Sequence, residues 1–301
     1  MNNNYDYDVI VVGLGPAGYS ALVYLQRSNL KCAVIEKNIP GGLLNKSSVI
    51  ENYPGYLKIS GPELSDKFYS QVKDVPYINE EVLNISLDGD FKIVKTNDNE
   101  YRCRAVILAI GRKPKSLENT RSLVGKGVSF CSLCDGFLYR GEEVAIVGAG
   151  NSAIEEALFL AEICKKVYIL CRKDNLACDY SLKERVKTFD NVEIIYNCSI
   201  KKFNSSFDVL DSIDIDVLGS VSVLKVKACF IFIGYEPSTN FLKNLDILDE
   251  KGYINVSTNL RTNVKGIYAA GDIVKKEAYQ IVTACSDGAI AAITCIKDLG
   301  K

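Results

Sequence analysis

Cys131-Ser132-Leu133-Cys134-Asp135-Gly136 places two thiols three residues apart. Thiols at that spacing can close a small disulfide and open it again. A helix N-terminus or a nearby carboxylate can tune the thiolate that such exchange requires. The other chemistry open to the pair is half of a zinc site. Zinc needs two more ligands, and the chain has no second Cys-x-x-Cys and no histidine. The lack of histidine also removes Ser-His-Asp and Cys-His catalysis and histidine-ligated metals, so no metal is expected.

A second chemical feature lies near the N-terminus. Gly13-Leu14-Gly15-Pro16-Ala17-Gly18 follows an apolar, β-branched run at 7–12 and opens a helical pattern reaching about Arg27. In such a strand–turn–helix, Gly13 permits the tight turn, Gly15 lets backbone approach a pyrophosphate, and Gly18 allows close helix–strand packing. A helix opening at Pro16 aims its free N–H groups at the phosphate. A strand at 31–35 ends at Glu36, 23 residues after Gly13, where a carboxylate can accept protons from ribose hydroxyls. Near the other end, Gly266-Ile267-Tyr268-Ala269-Ala270-Gly271-Asp272-Ile273 is an apolar strand ending in Gly-Asp. Asp272 can hold a ribityl hydroxyl. A helix from about Gln280 would aim its positive end at the pyrimidine edge of a flavin. The plainer reading of this segment is a core strand with a capping aspartate.

The elements that position these groups are repeated. A strand at 144–147, the turn Gly148-Ala149-Gly150-Asn151-Ser152-Ala153, a helix at 154–163 and a strand at 167–170 echo the first unit about 135 residues later. Two such openings imply an α/β chain with two Rossmann-like, three-layer nucleotide-binding domains. At about 150 residues per domain, 301 residues also suggest two. Polar linkers are read at 112–115 and 234–240, and short alternating strands over 191–226 read as a meander. A chain that is 48% hydrophobic and 24% charged is neither disordered nor a coiled coil. Thirty-six basic residues against 37 acidic ones argue against nucleic acid as a partner. Residues 9–26 carry no charge, but the Gly-rich turn divides them into strand and helix, so no membrane span is expected. No export signal is evident, so a cytoplasmic location is expected, with most of the 11 cysteines as buried, reduced thiols.

With these motifs in order, the chain resembles the low-molecular-weight thioredoxin reductases over nearly its whole length. The resemblance rests on 13–18, Glu51-Asn52-Tyr53-Pro54-Gly55, 127–136, 148–156 and 266–272. It implies the class II pyridine nucleotide-disulfide oxidoreductase architecture. A discontinuous FAD domain would comprise 1–114 and 241–301, and 115–240 an inserted pyridine-nucleotide-type domain. It implies a homodimer, thioredoxin as partner, Cys134 next to the flavin, Cys131 as attacker of thioredoxin and Asp135 as acid–base group. Lys37, Gly42, Leu43, Asn52, Val82, Gly111, Gln280 and Ile281 would join Gly13, Gly15, Pro16, Ala17, Gly18, Glu36, Gly271 and Asp272 in contacting FAD. Rotation of the inserted domain about its linkers is expected.

Departures from the family concern the electron donor. Its usual His-Arg-Arg and following Arg read here as Cys171, Arg172, Lys173 and Ala177, which weakens a clamp for a 2′-phosphate. Leu43 replaces a usual Gln and Tyr279 a usual Arg. These changes favour reduced ferredoxin as donor, as in the ferredoxin-dependent flavin thioredoxin reductases. Lys165, Lys166, Arg172, Lys173, Lys183 and Lys187 are candidates for its docking face. The alternative is an NADPH-dependent enzyme, for which the intact Gly148-Ala149-Gly150 turn argues. A flavin-bound redox sensor without turnover is the reading from outside catalysis.

Overall fold

The computed structural model describes residues 5–47 and 50–301. The elements used below are β1 (Tyr7–Val12), α1 (Pro16–Leu25), β2 (Cys32–Ile35), β3 (Glu100–Leu108), α2 (Ser132–Asp135), β4 (Glu143–Val147), α3 (Asn151–Ile163), β5 (Lys166–Leu170), β6 (Ala228–Ile231), β7 (Ile267–Ala269) and α4 (Ile281–Asp298). The chain forms two compact units. One is Met1–Lys113 with Pro237–Lys301, and the other is Pro114–Glu236.

In the first unit β1 lies between β2 and β3, parallel to both, with Val12 opposite Ile35 and Leu108. β7 adds on the far side of β3, again parallel. A strand covered on both faces needs apolar residues at every position rather than alternation. Val9 and Val11 accordingly pack into one core cluster with Tyr19 and Leu22 of α1, while Ile10 and Val12 join another with Ile85 and Val94. Two antiparallel strands, Val82–Asp88 and Phe91–Thr96, extend this sheet.

The second unit repeats the scheme. β4 lies between β5 and β6, parallel to both, and Val147 faces Leu170. The expected meander is shorter than 191–226. Its first strand, Val192–Ile195, joins β5 in the parallel sheet, and only the strands from Cys198 to Lys225 form an antiparallel trio. The reason is packing: Val192 and Ile194 turn towards the cluster beneath α3. α3 also starts at Asn151, three residues before the expected 154, because Gly150 is its N-cap. No described helix is long and apolar enough to cross a membrane.

Candidate active site

Cys131 and Cys134 form a disulfide. Both sit on α2, a single turn for which Cys131 is the N-cap and which contains Cys134. The Cys134 N–H donates to Cys131 Sγ at 3.1 Å. That N–H would also stabilise a thiolate on Cys131 once the disulfide opens. Ser129 fixes the turn. Its Oγ accepts from the Cys131 N–H at 3.0 Å and donates to Asp135 Oδ2 at 2.6 Å. Asp135 is thus tied, through one hydroxyl, to the backbone of the first cysteine. Cys131 is buried and Cys134 exposed.

In the first unit, the Gly-rich turn is built as its spacing predicts. Gly13 has φ +98°, and a Cβ there would lie 2.5 Å from the Ala109 carbonyl oxygen. A Cβ on Gly18 would sit 2.1 Å from the Gly13 oxygen, so backbone meets backbone. Gly15, the N-cap of α1, differs: its nearest neighbour to such a Cβ is Gly41 O at 3.9 Å, which leaves room for a ligand. Pro16 is the first helical residue, and Ala17 packs against Gly271 and Gly288. Glu36 receives N–H groups from Leu14 at 3.0 Å and Asn38 at 2.8 Å, which brings the carboxylate to the turn. Lys37, next in the chain, pairs with Glu81 at 2.6 Å.

Residues distant in sequence gather in this unit. Asn52 donates to Gln280 Oε1 at 3.2 Å across 228 residues. Gln280 is the N-cap of α4 and forms a capping box with Thr283. Ile281 packs on the cluster of Leu44 and Ile50. Gly42, with φ +57°, approaches Gly15, and Leu43 is half-buried beside it. Gly111 has φ +60°, and Val82 is half-buried. Asp272 Oδ2 accepts from Arg112 Nη2 at 3.1 Å. An open Gly15 cap, a carboxylate at the strand end and a second helix N-terminus suit an anionic dinucleotide.

The echo in the second unit is exact in register. Gly13 N donates to Ile35 O, and Gly148 N to Leu170 O, so Glu36 and Cys171 occupy matching places. Cys171 is fully buried and donates from Sγ to Asn175 O at 3.2 Å. Arg172 and Lys173 follow it, both exposed. Gly150 caps α3 with nothing within 4 Å of a Cβ.

Sequence reasoning missed Glu156. It is a buried carboxyl on α3 facing Ser132 of α2, and burial pushes it up to about 7, with Glu155 adding to the rise and the Ser132 hydroxyl and N–H opposing it. A signal existed, since 153, 156 and 160 fall on one helical face with Ala153 and Leu160 buried. The other cysteines are mostly buried. Burial pushes the Cys32, Cys198 and Cys285 thiols up to about 11, away from redox use. Three of the six cations offered for ferredoxin already pair with glutamates: Lys165 with Glu143, Lys166 with Glu193 and Lys187 with Glu184.

The family of pyridine nucleotide-disulphide oxidoreductases matches residues 7–288. The chain is 38% identical to the thioredoxin reductase of Bacillus subtilis over 298 residues, covering 97% of this chain and 94% of that protein. It is similar to the crystal structure of Lactococcus lactis thioredoxin reductase, with TM-score 0.94 and 35% identity, covering 98% of this chain and 99% of that one. The ferredoxin-flavin thioredoxin reductase of Clostridium acetobutylicum matches with TM-score 0.54 and 28% identity, covering 97% and 98% of the two chains. The expected special kinship with ferredoxin-dependent enzymes is therefore not supported. The chain belongs to the pyridine nucleotide-disulphide oxidoreductase family, as a thioredoxin reductase of the low-molecular-weight type whose cofactor is FAD.

Proposed function

We propose that the electron donor of this thioredoxin reductase is a reduced pyridine nucleotide, NADPH in preference to NADH, rather than ferredoxin. The observation that carries this reading is the match of Cys171 to Glu36. A carboxylate at that place accepts ribose hydroxyls and repels a 2′-phosphate, whereas a neutral thiol followed by exposed Arg172 and Lys173 admits the phosphate. The open Gly150 cap then serves the pyrophosphate. The ion pairs of Lys165, Lys166 and Lys187 leave less free positive charge for an acidic protein.

In this reading the turn from Gly13 to Gly18 holds the FAD pyrophosphate and Glu36 its ribose. Asn52, Gly271, Asp272 and Gln280 hold the flavin end, with Gly42, Leu43, Val82, Gly111 and Ile281 lining the site. Bound FAD supplies a store for an electron pair. The chain's own residues then carry exchange to the partner. The Cys131 thiolate, held by the Cys134 N–H, attacks the thioredoxin disulfide and forms a mixed disulfide, releasing one partner thiolate. Cys134 attacks Cys131 Sγ, re-forms the disulfide and releases the second. Asp135, anchored by Ser129, exchanges protons with these sulfurs. Because Cys131 is buried, its attack requires that the turn be uncovered first. A homodimer completes the reading, on the resemblance alone.

The test is anaerobic addition of NADPH, NADH and reduced ferredoxin to the holoenzyme with the flavin absorbance followed. NADPH should bleach it rapidly and support thioredoxin reduction. Bleaching by ferredoxin but by neither nucleotide would overturn the donor assignment.

A further inference from the structure

Beneath the redox turn lies a carboxyl that the exchange steps above do not use. Glu156 is 9% exposed, and no other acidic side chain among the described residues is as buried. It faces Ser132, the first residue of α2, which is fully buried and bonded in the chain to Cys131. Ser132 Oγ and Glu156 Oε2 are both shielded from solvent, and the Ser132 hydroxyl and N–H are the groups turned to the carboxyl. A carboxyl held out of water, with no ion pair to it among the described residues, is uncommon in a native core and calls for a functional account. The packing is also tight. A Cβ on Gly136, at the end of α2, would come 2.9 Å from Leu160 and 3.2 Å from Phe159 of α3. α2 therefore rests directly on the helix that carries Glu156.

We propose that Glu156 is a positioning residue for the dithiol, taking up a proton when Cys131–Cys134 is reduced and releasing it when the disulfide re-forms. Reduction breaks the S–S bond with the electron pair delivered in turnover. One proton goes to one sulfur, and the other sulfur remains a thiolate. That new negative charge, next to Ser132 in a poorly solvated place, raises the proton affinity of Glu156, which binds the second proton from solvent. The count is two electrons and two protons. In the other direction the Cys131 thiolate attacks the partner disulfide, and the Cys134 thiol gives its proton to a departing thiolate. Glu156 returns its own proton to solvent, which protonates the second.

The surrounding charges agree with this role. Glu155, on the same helix, pushes the proton affinity up; Ser132, on α2, pushes it down. Asp135, also on α2, is turned to Ser129. Among the described residues no ion pair reaches Glu156 from β4, β5, Tyr180–Val186 or Gly136–Tyr139, the elements packed on α3. Burial already holds the carboxyl up at about 7 in the disulfide state, and the further rise on reduction keeps it protonated through pH 8.

The inference rests on the reading that Cys131–Cys134 is the redox pair, and thiol–disulfide equilibration tests the two separately. The holoenzyme is equilibrated with glutathione redox buffers at pH 7.0 to 8.0, in about the range where glutathione stays mostly protonated. Two glutathiones bring two protons. The wild type should keep both, so the equilibrium constant should stay within about twofold across that unit. Glu156→Gln should release one, so its constant should rise about tenfold. Glu156→Asp should stay flat like the wild type. Equal slopes in the wild type and Glu156→Gln would overturn the proton role while leaving the dithiol reading intact. Failure of the wild-type pair to equilibrate at all would sink both. Should Glu156→Gln not fold, wild-type protein labelled with ¹³C-glutamate decides. The buried carboxyl signal should titrate at higher pH in the reduced protein than in the oxidised one, and an unchanged midpoint would refute the proposal.

Discussion

The Arg112 guanidinium lies 3.7 Å from the centroid of the Tyr279 ring and at the same time donates to Asp272 at 3.1 Å. Position 279, where the resemblance leads to the expectation of arginine, therefore still has a guanidinium against it, supplied by the strand Arg112–Pro114. The loss of that arginine does not mark an eroded site. Arg112→Ala removes both a cation–π contact and a charge-assisted hydrogen bond, together worth about 1–3 kcal/mol. FAD affinity should fall about tenfold or more, measured by flavin fluorescence on titrating apoprotein. An unchanged affinity would show that Arg112 serves the fold alone.

Gly18→Ala puts a methyl 2.1 Å from the Gly13 oxygen, where only backbone movement can relieve the clash. Overpacking of this kind costs about 1–3 kcal/mol. The variant should melt several degrees lower and purify with substoichiometric flavin. Full yellow colour with a normal melting point would contradict the close approach.

Replacing Arg172 and Lys173 together by alanine tests the donor site. Both are exposed beside a neutral strand end. Each charge-assisted contact to a phosphate is worth about 1.5–3 kcal/mol. The kcat/KM for NADPH should fall at least tenfold while that for NADH changes less than about twofold. Equal losses with both nucleotides would argue against a 2′-phosphate contact.

Cys134→Ser leaves Cys131 without a resolving thiol. Thioredoxin turnover should drop by several orders of magnitude, with the flavin spectrum and melting point close to those of the parent. A stable mixed disulfide through Cys131 should be trapped and seen by mass spectrometry. Normal turnover in this variant would remove the dithiol from the reaction.

Stability of the oxidised protein should depend on Glu156. Its folded pKa is raised from the model-peptide range, 4.5, to about 7. The native state then keeps a proton that the unfolded chain has lost. Stability from this group is complete below about pH 4.5 and falls as pH rises towards 7, flattening above. The span of about 2.5 pKa units corresponds to about 3 kcal/mol. Glu156→Gln should lack that decline in urea melts between pH 5 and 8. A parallel decline in both proteins would assign it to other groups.

Both nucleotide-binding halves could be read from the chain because each combines an uninterrupted apolar strand, a spaced glycine turn and a helix start. Gly13 and Gly18 were legible for the same reason: local backbone geometry demands their type. What could not be read depends on contacts between distant residues. Asn52 meets Gln280 only through the fold, and Arg112 reaches Tyr279 from a strand that looked like a linker. Val192–Ile195 looked like part of a meander because alternation says nothing about which sheet receives a strand. Two of the docking cations have partners hidden for a similar reason: Lys165 and Lys166 meet Glu143 and Glu193 across neighbouring strands, which a charge count cannot show, whereas Lys187 and Glu184 are three residues apart at the end of one helix.

The two points where the chain leaves and re-enters the second unit lie side by side, with Lys115 N donating to Gly234 O at 2.9 Å. An insert whose ends touch can be cut out without stretching either piece. Residues 114–236 should be expressible as a free-standing module, and the remaining segments rejoinable by a short turn. Such a pair of fragments would let dithiol chemistry and flavin chemistry be assayed in separate tubes.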